Sequence, residues 1–152
     1  MTVSATDIQK ASERLEGHVI RTPFVQAPML SGSLGCDVRL KLENLQHTSS
    51  FKARGAFIAM QALPEEARKR GVITMSAGNH AQAVAYHARQ MGIPAVIVMP
   101  AQTPFAKVSR TRAHGAEVVL EGRNLNECEG LVSRLIDERG LSLIHPYHDE
   151  LV

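Results

Sequence analysis

Short apolar runs alternate with helical patterns along the last two thirds of the chain. Four runs have the length of buried strands, at residues 72–75, 95–99, 117–120 and 142–144. The segments between them carry apolar residues at intervals of three and four, which indicates amphipathic helices. Strands that alternate with helices pack as parallel βαβ units. The sequence therefore predicts an α/β fold, a small parallel open sheet that is doubly wound, with flanking helices.

Capping signals set the limits of these three predicted helices. The first covers residues 79–91 and ends at Gly92. The second begins at Thr103 and Pro104, an N-cap followed by proline at the first helical position. The third begins at Asn124 and ends at Gly140. Its predicted inward residues are Leu125, Cys128, Leu131, Val132 and Leu135.

The first third of the chain is less regular. Thr6 and Gln9 have the spacing of a capping box for a first helix that should end at Gly17. Closely spaced proline and glycine residues predict a loop without a long element over residues 18–35. A short strand is expected over residues 38–42.

Composition and charge narrow the function classes. The chain has 152 residues, is 44% hydrophobic and carries a net charge of +2, which indicates one soluble domain with a core. No apolar run is long enough to cross a bilayer, so we expect no membrane partner. The small net charge and the absence of Trp disfavour nucleic acid as a partner. Two cysteines and a polar start favour a cytoplasmic protein with reduced thiols.

Lys52 is the first candidate for chemistry. A helix predicted over residues 51–60, with Ser50 as its N-cap, places this lysine in the first turn. A cation there opposes the positive end of the helix dipole, so the neutral amine that forms Schiff bases is favoured. Most lysines are nevertheless exposed to solvent. The spacing alone therefore favours a solvated lysine over a reactive one.

The segment Ser76–His80 is the second candidate, because it follows a predicted strand and opens a helix. Small residues let a ligand approach the backbone, and the free N–H groups of a helix start suit a carboxylate or a phosphate. Open α/β sheets also bind ligands at the carboxyl ends of their strands. An ordinary helix start capped by Ser76 or Asn79 explains the same residues equally well.

Taken together, these segments resemble a known family. The matching segments are Arg21-Thr22-Pro23, residues 41–46 (KLENLQ), 50–56 (SFKARGA), 76–82 (SAGNHAQ) and the run 100–122. In them the chain is similar to the N-terminal half of the threonine dehydratase and serine racemase group, which are fold-type II pyridoxal-phosphate enzymes with a tryptophan-synthase-β-like fold. The resemblance implies that residues 1–50 are the N-terminal part of an incomplete large domain, and that residues 51–152 are the small α/β domain carrying the Schiff-base lysine.

The resemblance also implies a role for each residue of the two candidate segments. Lys52 would bind the cofactor pyridoxal 5'-phosphate covalently and act as the catalytic residue. Phe51 would pack against the pyridine ring, and Asn79 would hydrogen-bond the 3-hydroxyl of that ring. Hydroxyl and backbone donors for the substrate carboxylate would come from Ser76, Gly78, Asn79 and His80.

The implied reaction is β-elimination from a small hydroxy amino acid. Threonine, and serine as a further substrate, would give a 2-oxo acid and ammonia, and such an enzyme would be expected in isoleucine biosynthesis. Racemases of this group carry Ser where this chain has Ala77, so Ala77 favours elimination over racemisation. A serine racemase-like enzyme remains the alternative activity.

Members of this group are longer than this chain. Their second half supplies a glycine-rich loop for the cofactor phosphate and a contact to the pyridine nitrogen, and no glycine cluster follows Gly78 here. We therefore expect weak cofactor binding and little turnover from this chain alone, with a homo-oligomer or a complementing C-terminal half as partners. A non-catalytic fragment that associates with full-length subunits is the alternative. The expected exposed apolar residues are Val19, Ile20, Phe24, Val25, Met29 and Leu34.

Other candidates carry less weight. His145, His148, Asp149 and Glu150 imitate a metal cluster, but adjacent polar residues of this kind are usually solvated, so no metal is expected. No Gly-x-Gly-x-x-Gly follows a predicted strand, which disfavours a dinucleotide site. A solvated helix face is the simplest interpretation of Lys107, Arg110 and Arg112.

Overall fold

Helices and strands alternate along most of the chain, of which the computed structural model describes residues 3–147, 149 and 151–152. The strands are β1 Phe24–Gln26, β2 Arg39–Lys41, β3 Val72–Met75, β4 Ala95–Met99, β5 Glu117–Leu120 and β6 Ser142–Leu143. The α-helices are α1 Ala5–Arg14, α2 Pro28–Leu34, α3 Lys52–Ala62, α4 Glu65–Arg70, α5 Asn79–Met91, α6 Phe105–Ala113 and α7 Leu125–Arg139.

Four parallel strands form the central sheet in the order β5-β4-β3-β6. β3, β4 and β5 have the predicted bounds, and β6 is one residue shorter than predicted. One face packs on a cluster that includes Met60, Val84 and Ile97, and the other on a cluster that includes Cys128 and Leu131. Because buried residues cover both faces, the predicted α/β fold with a parallel open sheet is confirmed.

Most helix ends of the sheet region follow the predicted capping signals. α5 ends at Gly92, and α7 ends at Gly140, with both glycines in the left-handed conformation. The Asn124 side chain accepts a hydrogen bond of 3.1 Å from the Glu127 backbone, as a helix N-cap does. Two details of the prediction were wrong. α6 begins after Pro104 rather than after a Thr103 cap, and Leu125 is exposed rather than inward.

The N-terminal elements differ from the prediction. Ser4, not Thr6, caps α1, because Ser4 and Asp7 form a reciprocal capping box in which the Asp7 carboxylate accepts from the Ser4 backbone at 3.0 Å. α1 ends at Arg14, so the helix stops before Gly17. The predicted loop holds two short elements, β1 and α2, and the short helix α4 was not predicted. α3 begins at Lys52, one residue later than predicted, and Phe51 rather than Ser50 is the residue before its first turn.

Strands β1 and β2 form a separate antiparallel pair in which every residue is exposed. Five of the six predicted apolar residues are exposed, namely Ile20, Phe24, Val25, Met29 and Leu34. Val19 does not belong to this group, since it is partly buried against the cluster of Leu15, Phe57 and Ile58. A two-stranded sheet with exposed apolar side chains is marginally stable by itself.

None of the helices in the described part of the chain has both the length and the apolar composition that a membrane span requires.

Candidate active site

The two candidate segments lie side by side because α3 and α5 pack closely. Their contact surfaces are rich in alanine, and Ala53, Ala56 and Ala81 are completely buried. Small side chains let the two helix axes approach, which brings the first turns of both helices to the carboxyl end of β3. The packing thus places Lys52 next to the loop that follows β3.

Both segments line one cleft of about 410 Å³. That volume is within the range of small-molecule sites. All six predicted site residues belong to its lining, which consists of Phe51, Lys52, Ser76, Ala77, Gly78, Asn79, His80, Lys107, Leu125, Pro146 and Tyr147. The tertiary structure therefore brings together the residues that the sequence singled out in two separate segments.

The Lys52 amine lies inside this constellation rather than on the far side of the helix. Its Nζ donates a hydrogen bond of 2.6 Å to the carbonyl oxygen of Pro146. The aromatic rings of Phe51 and Tyr147 lie 5.6 and 5.1 Å from the same nitrogen. A primary amine in a cleft of this kind has the chemistry needed to condense with an aldehyde.

The loop before α5 presents polar groups to the cleft. Gly78 precedes the helix, and no side-chain cap bond to α5 is found among the described residues, so the interpretation of Ser76 or Asn79 as an ordinary N-cap was wrong. The Ser76 hydroxyl instead accepts from the Gly78 backbone at 3.3 Å. A Cβ added at Gly78 would meet no heavy atom within 4 Å, so the space against the loop is open. The first-turn N–H groups of a helix lack intrahelical acceptors and suit an anion.

His80 joins this loop to the end of the sheet. Its buried ring contacts the Ile144 carbonyl through Nε2 at 3.0 Å, and a carbonyl can only accept, so Nε2 carries the proton. Nδ1 is then a bare acceptor, buried and without a partner among the residues that the structure describes. Burial lowers the pKa of His80, although the Ile144 contact opposes that shift. The side chain is therefore a neutral structural link.

The helix that carries Lys52 rests on a second buried histidine. His87, on α5, is 1% exposed, and its ring donates to the Ala53 carbonyl in the first turn of α3. Its Nε2 is buried and has no partner in the described part of the chain. Burial is the main reason that the pKa of His87 falls from 6.5 to about 4.

Four residues of the cleft lie outside the two segments that the sequence singled out. Lys107 was interpreted as a solvated side chain, and it is exposed, but it also lines the cleft. Leu125, Pro146 and Tyr147 join it there. The available signal was topological, since these residues follow β4, β5 and β6, and the carboxyl ends of parallel strands meet at one edge of the sheet. Within the described lining, the two charged residues are the lysines, so the cleft favours anions.

A second groove, of about 570 Å³, lies beside α1. Two of the three cations in its lining are already engaged, since Arg54 pairs with Glu43 at 2.7 Å and Lys41 donates to the Thr22 carbonyl at 2.7 Å. The hydrogen bonds from Arg54 hold the pKa of Glu43 below its usual value. These contacts stabilise the link between α3 and the N-terminal segment, and we assign this groove no ligand.

Within residues 3–147, 149 and 151–152, no group of three or more His, Cys, Asp or Glu side chains is placed to hold a metal ion. His148 and Glu150, which the sequence places beside His145 and Asp149, lie outside the described residues.

The donor set fits the reactive end of pyridoxal phosphate. An amine for the aldehyde, a hydroxyl, a side-chain amide and a helix N-terminus converge on one cleft at the carboxyl edge of a parallel sheet. This arrangement defines an α/β protein whose cleft has the donor chemistry that an aldehyde cofactor and a ligand carboxylate require.

Residues 15–152 match the family model described as "Pyridoxal-phosphate dependent enzyme", and the chain belongs to this family. It is 47% identical to an L-threonine ammonia-lyase of Geobacter sulfurreducens over 97% of this chain and 37% of that protein. It is 44% identical to a catabolic L-threonine dehydratase of Staphylococcus aureus over 99% of this chain and 44% of that protein.

Among solved structures, the chain superposes on the serine racemase of Dictyostelium discoideum with a TM-score of 0.91 and 34% identity, over 98% of this chain and 48% of that one. It therefore has the fold of fold-type II pyridoxal-phosphate enzymes, as the resemblance implied. The chain spans less than half the length of each of these relatives.

Proposed function

We propose that this chain provides the Schiff-base lysine and the substrate loop of a pyridoxal-phosphate-dependent ammonia-lyase that acts on L-threonine and, as a further substrate, L-serine. The observation that carries the proposal is the location of Lys52 Nζ in one cleft with the loop Ser76–His80. The ammonia-lyase and dehydratase names of the two curated relatives support threonine as the substrate.

Each of the six predicted site residues has a task in this proposal. Lys52 holds the cofactor aldehyde through Nζ, and Phe51 covers one face of the pyridine ring. Asn79 binds the ring hydroxyl. Ser76, Gly78 and His80 complete the donors for the substrate carboxylate through a hydroxyl and backbone N–H groups. The absence of any acidic side chain from the described lining favours the binding of a substrate carboxylate.

The reaction follows from where these groups lie. When bound, pyridoxal phosphate would supply an electron sink for the α-carbon of the substrate. Lys52 Nζ, when free, would accept the α-proton and would return a proton to the β-hydroxyl, which then departs as water. The helix N-terminus of α5 holds the carboxylate while this happens. Hydrolysis then yields a 2-oxo acid and ammonia.

We propose that residues beyond this chain complete the site. The relatives are more than twice as long, and no glycine-rich run for a phosphate follows Gly78. Residues 1–50 would then be part of a large domain and residues 51–152 the small domain. The exposed apolar side chains of β1 and α2 offer a surface for a complementing C-terminal half. A non-catalytic fragment that associates with complete subunits is the competing interpretation.

Reconstitution with pyridoxal phosphate tests the role of Lys52. We expect borohydride reduction to leave a pyridoxyl group on Lys52, detected by peptide mass spectrometry, and Lys52→Ala to lose it. Lys10→Ala, which removes an exposed lysine on α1, is the matched control and should keep the adduct. Little 2-oxo acid should form from threonine until a C-terminal half is added. A pyridoxyl group spread evenly over the lysines would contradict the proposal.

A serine racemase-like enzyme is the second candidate, favoured by the superposition on the Dictyostelium racemase. Ala77 argues against it, because racemases of this group use a serine at that position. With a complemented enzyme, we expect the native chain to form 2-oxo acid and Ala77→Ser to gain D-serine formation. D-serine as the main product of the native sequence would favour the racemase.

The cellular setting of the reaction is also a proposal. The catabolic name of the Staphylococcus aureus relative favours threonine breakdown over the isoleucine biosynthesis expected from the resemblance. The free thiols of Cys36 and Cys128 are compatible with the cytoplasm, which we propose as the compartment.

A further inference from the structure

The segment that follows β6 folds back over Lys52. We call residues 144–147 the post-β6 segment. The Pro146 carbonyl accepts from Lys52 Nζ at 2.6 Å, and the ring of Tyr147 lies 5.1 Å from the same nitrogen. The ring centroid of Phe51, the residue before Lys52, lies 5.6 Å from Nζ. The amine thus contacts one backbone oxygen and lies near two aromatic rings.

One end of this segment is fixed and the other is exposed. Ile144 is 1% exposed, its N–H donates to the Ile73 carbonyl at 2.9 Å, and its own carbonyl accepts from His80 at 3.0 Å. Tyr147 is 75% exposed, and its backbone N–H donates to His145 Nδ1 at 3.0 Å within a tight turn. The exposed tip therefore lies outside the sheet, between the buried Ile144 and Val152, which packs against the core cluster.

These contacts compete with the use of Lys52 as a nucleophile. The Pro146 carbonyl orients an N–H of Lys52 towards the post-β6 segment, and the Tyr147 ring attracts the ammonium group. An attack on an aldehyde needs the nitrogen lone pair and an open approach, so the contacts must first break.

We propose that Tyr147 is a positioning residue that, with the Pro146 carbonyl, restrains Lys52 until the tip of the post-β6 segment moves away. The inference rests on the proposed role of Lys52. The resting contact makes Lys52 less reactive than its accessibility alone implies, and ligand entry into the cleft is coupled to movement of residues 145–147.

The reactivity of Lys52 towards a reagent that needs no cofactor tests this directly. Acetic anhydride transfers an acetyl group to Nζ and releases acetate, and peptide mass spectrometry reports the rate at Lys52 relative to exposed Lys10. Removal of the ring in Tyr147→Ala should raise that ratio about two- to fivefold, the range expected for an exposed cation–π contact. Tyr147→Phe, which keeps the ring, should match the native chain. Circular dichroism would show that both variants are folded.

The proposal is overturned if Tyr147→Ala leaves the ratio unchanged, or if Tyr147→Phe raises it as much as Tyr147→Ala. Pyridoxal phosphate with borohydride serves as a separate readout. A raised acetylation ratio without any pyridoxyl group on Lys52 would sustain the restraint and refute the proposed function. A pyridoxyl group on Lys52 with an unchanged acetylation ratio would support the proposed function and overturn the restraint by Tyr147.

Discussion

His87 should make the stability of this fold depend on pH in a range where its carboxylates stay ionised. The folded state lowers the pKa of this buried histidine from 6.5 to about 4. Below pH 6.5 the unfolded chain therefore binds a proton at His87 that the folded chain does not bind, and the free energy of unfolding decreases as the pH falls. Above pH 6.5 both states are neutral, and His87 contributes no pH dependence.

The size of this pH effect on the free energy of unfolding follows from the two pKa values of His87, 6.5 in the unfolded chain and about 4 in the folded chain. The gap between them is worth at most about 3 kcal/mol, and about 2 kcal/mol of it should be lost between about pH 7 and pH 5. The depressed pKa values of Asp7, Glu43 and Glu127 act only at lower pH, but His80 and His114 act in the same direction. A variant is therefore needed to isolate His87.

Urea unfolding of the native chain and of His87→Asn at both pH values provides that comparison. Asn retains an N–H donor near the position of Nδ1 but does not titrate, so the variant should lose about 2 kcal/mol of the pH-dependent change, whatever its stability at neutral pH. An unchanged pH dependence in His87→Asn would refute the assignment of a neutral, buried His87 beneath the Lys52 helix.

Two further predictions concern the core and the cleft. Met60→Ala should destabilise the fold by about 2–5 kcal/mol in urea unfolding, because Met60 of α3 is fully buried in the cluster that covers one face of the sheet; a loss below 1 kcal/mol would indicate a loosely packed contact. Lys107→Glu should slow adduct formation by pyridoxal phosphate more than by uncharged pyridoxal, since Lys107 lines an anion-favouring cleft. Equal slowing of both aldehydes would contradict an electrostatic role.

Local sequence signals predicted the bounds of a helix or strand correctly where those bounds depend on a single short segment. Strands β3, β4 and β5 and helix α5 have the predicted bounds, because apolar periodicity and glycine stops act within a few residues. The signals failed where neighbouring choices differ little in energy. Ser4 with Asp7 competed with Thr6 and Gln9 for the α1 cap, and only the actual backbone path decided between them.

The candidate site shows the same division. Lys52 and Ser76–His80 stood out in the sequence, both by position at a helix start and by resemblance. The sequence did not reveal that Lys107, Pro146 and Tyr147 complete the same cleft, or that Pro146 accepts from Lys52. These contacts join residues up to 94 positions apart, and such pairs depend on strand order and helix packing rather than on local pattern.

By itself, the sequence determined the parallel α/β architecture, because hydrophobic periodicity is a local property. Its resemblance to a known family singled out Lys52 and the loop Ser76–His80, which local helix-terminus chemistry alone left open. The tertiary structure alone decided the surroundings of that amine, the neutral state of His80 and His87, and the exposure of the β1 and α2 side chains. Burial and long-range hydrogen bonds arise only when distant segments pack together, and no single segment encodes them.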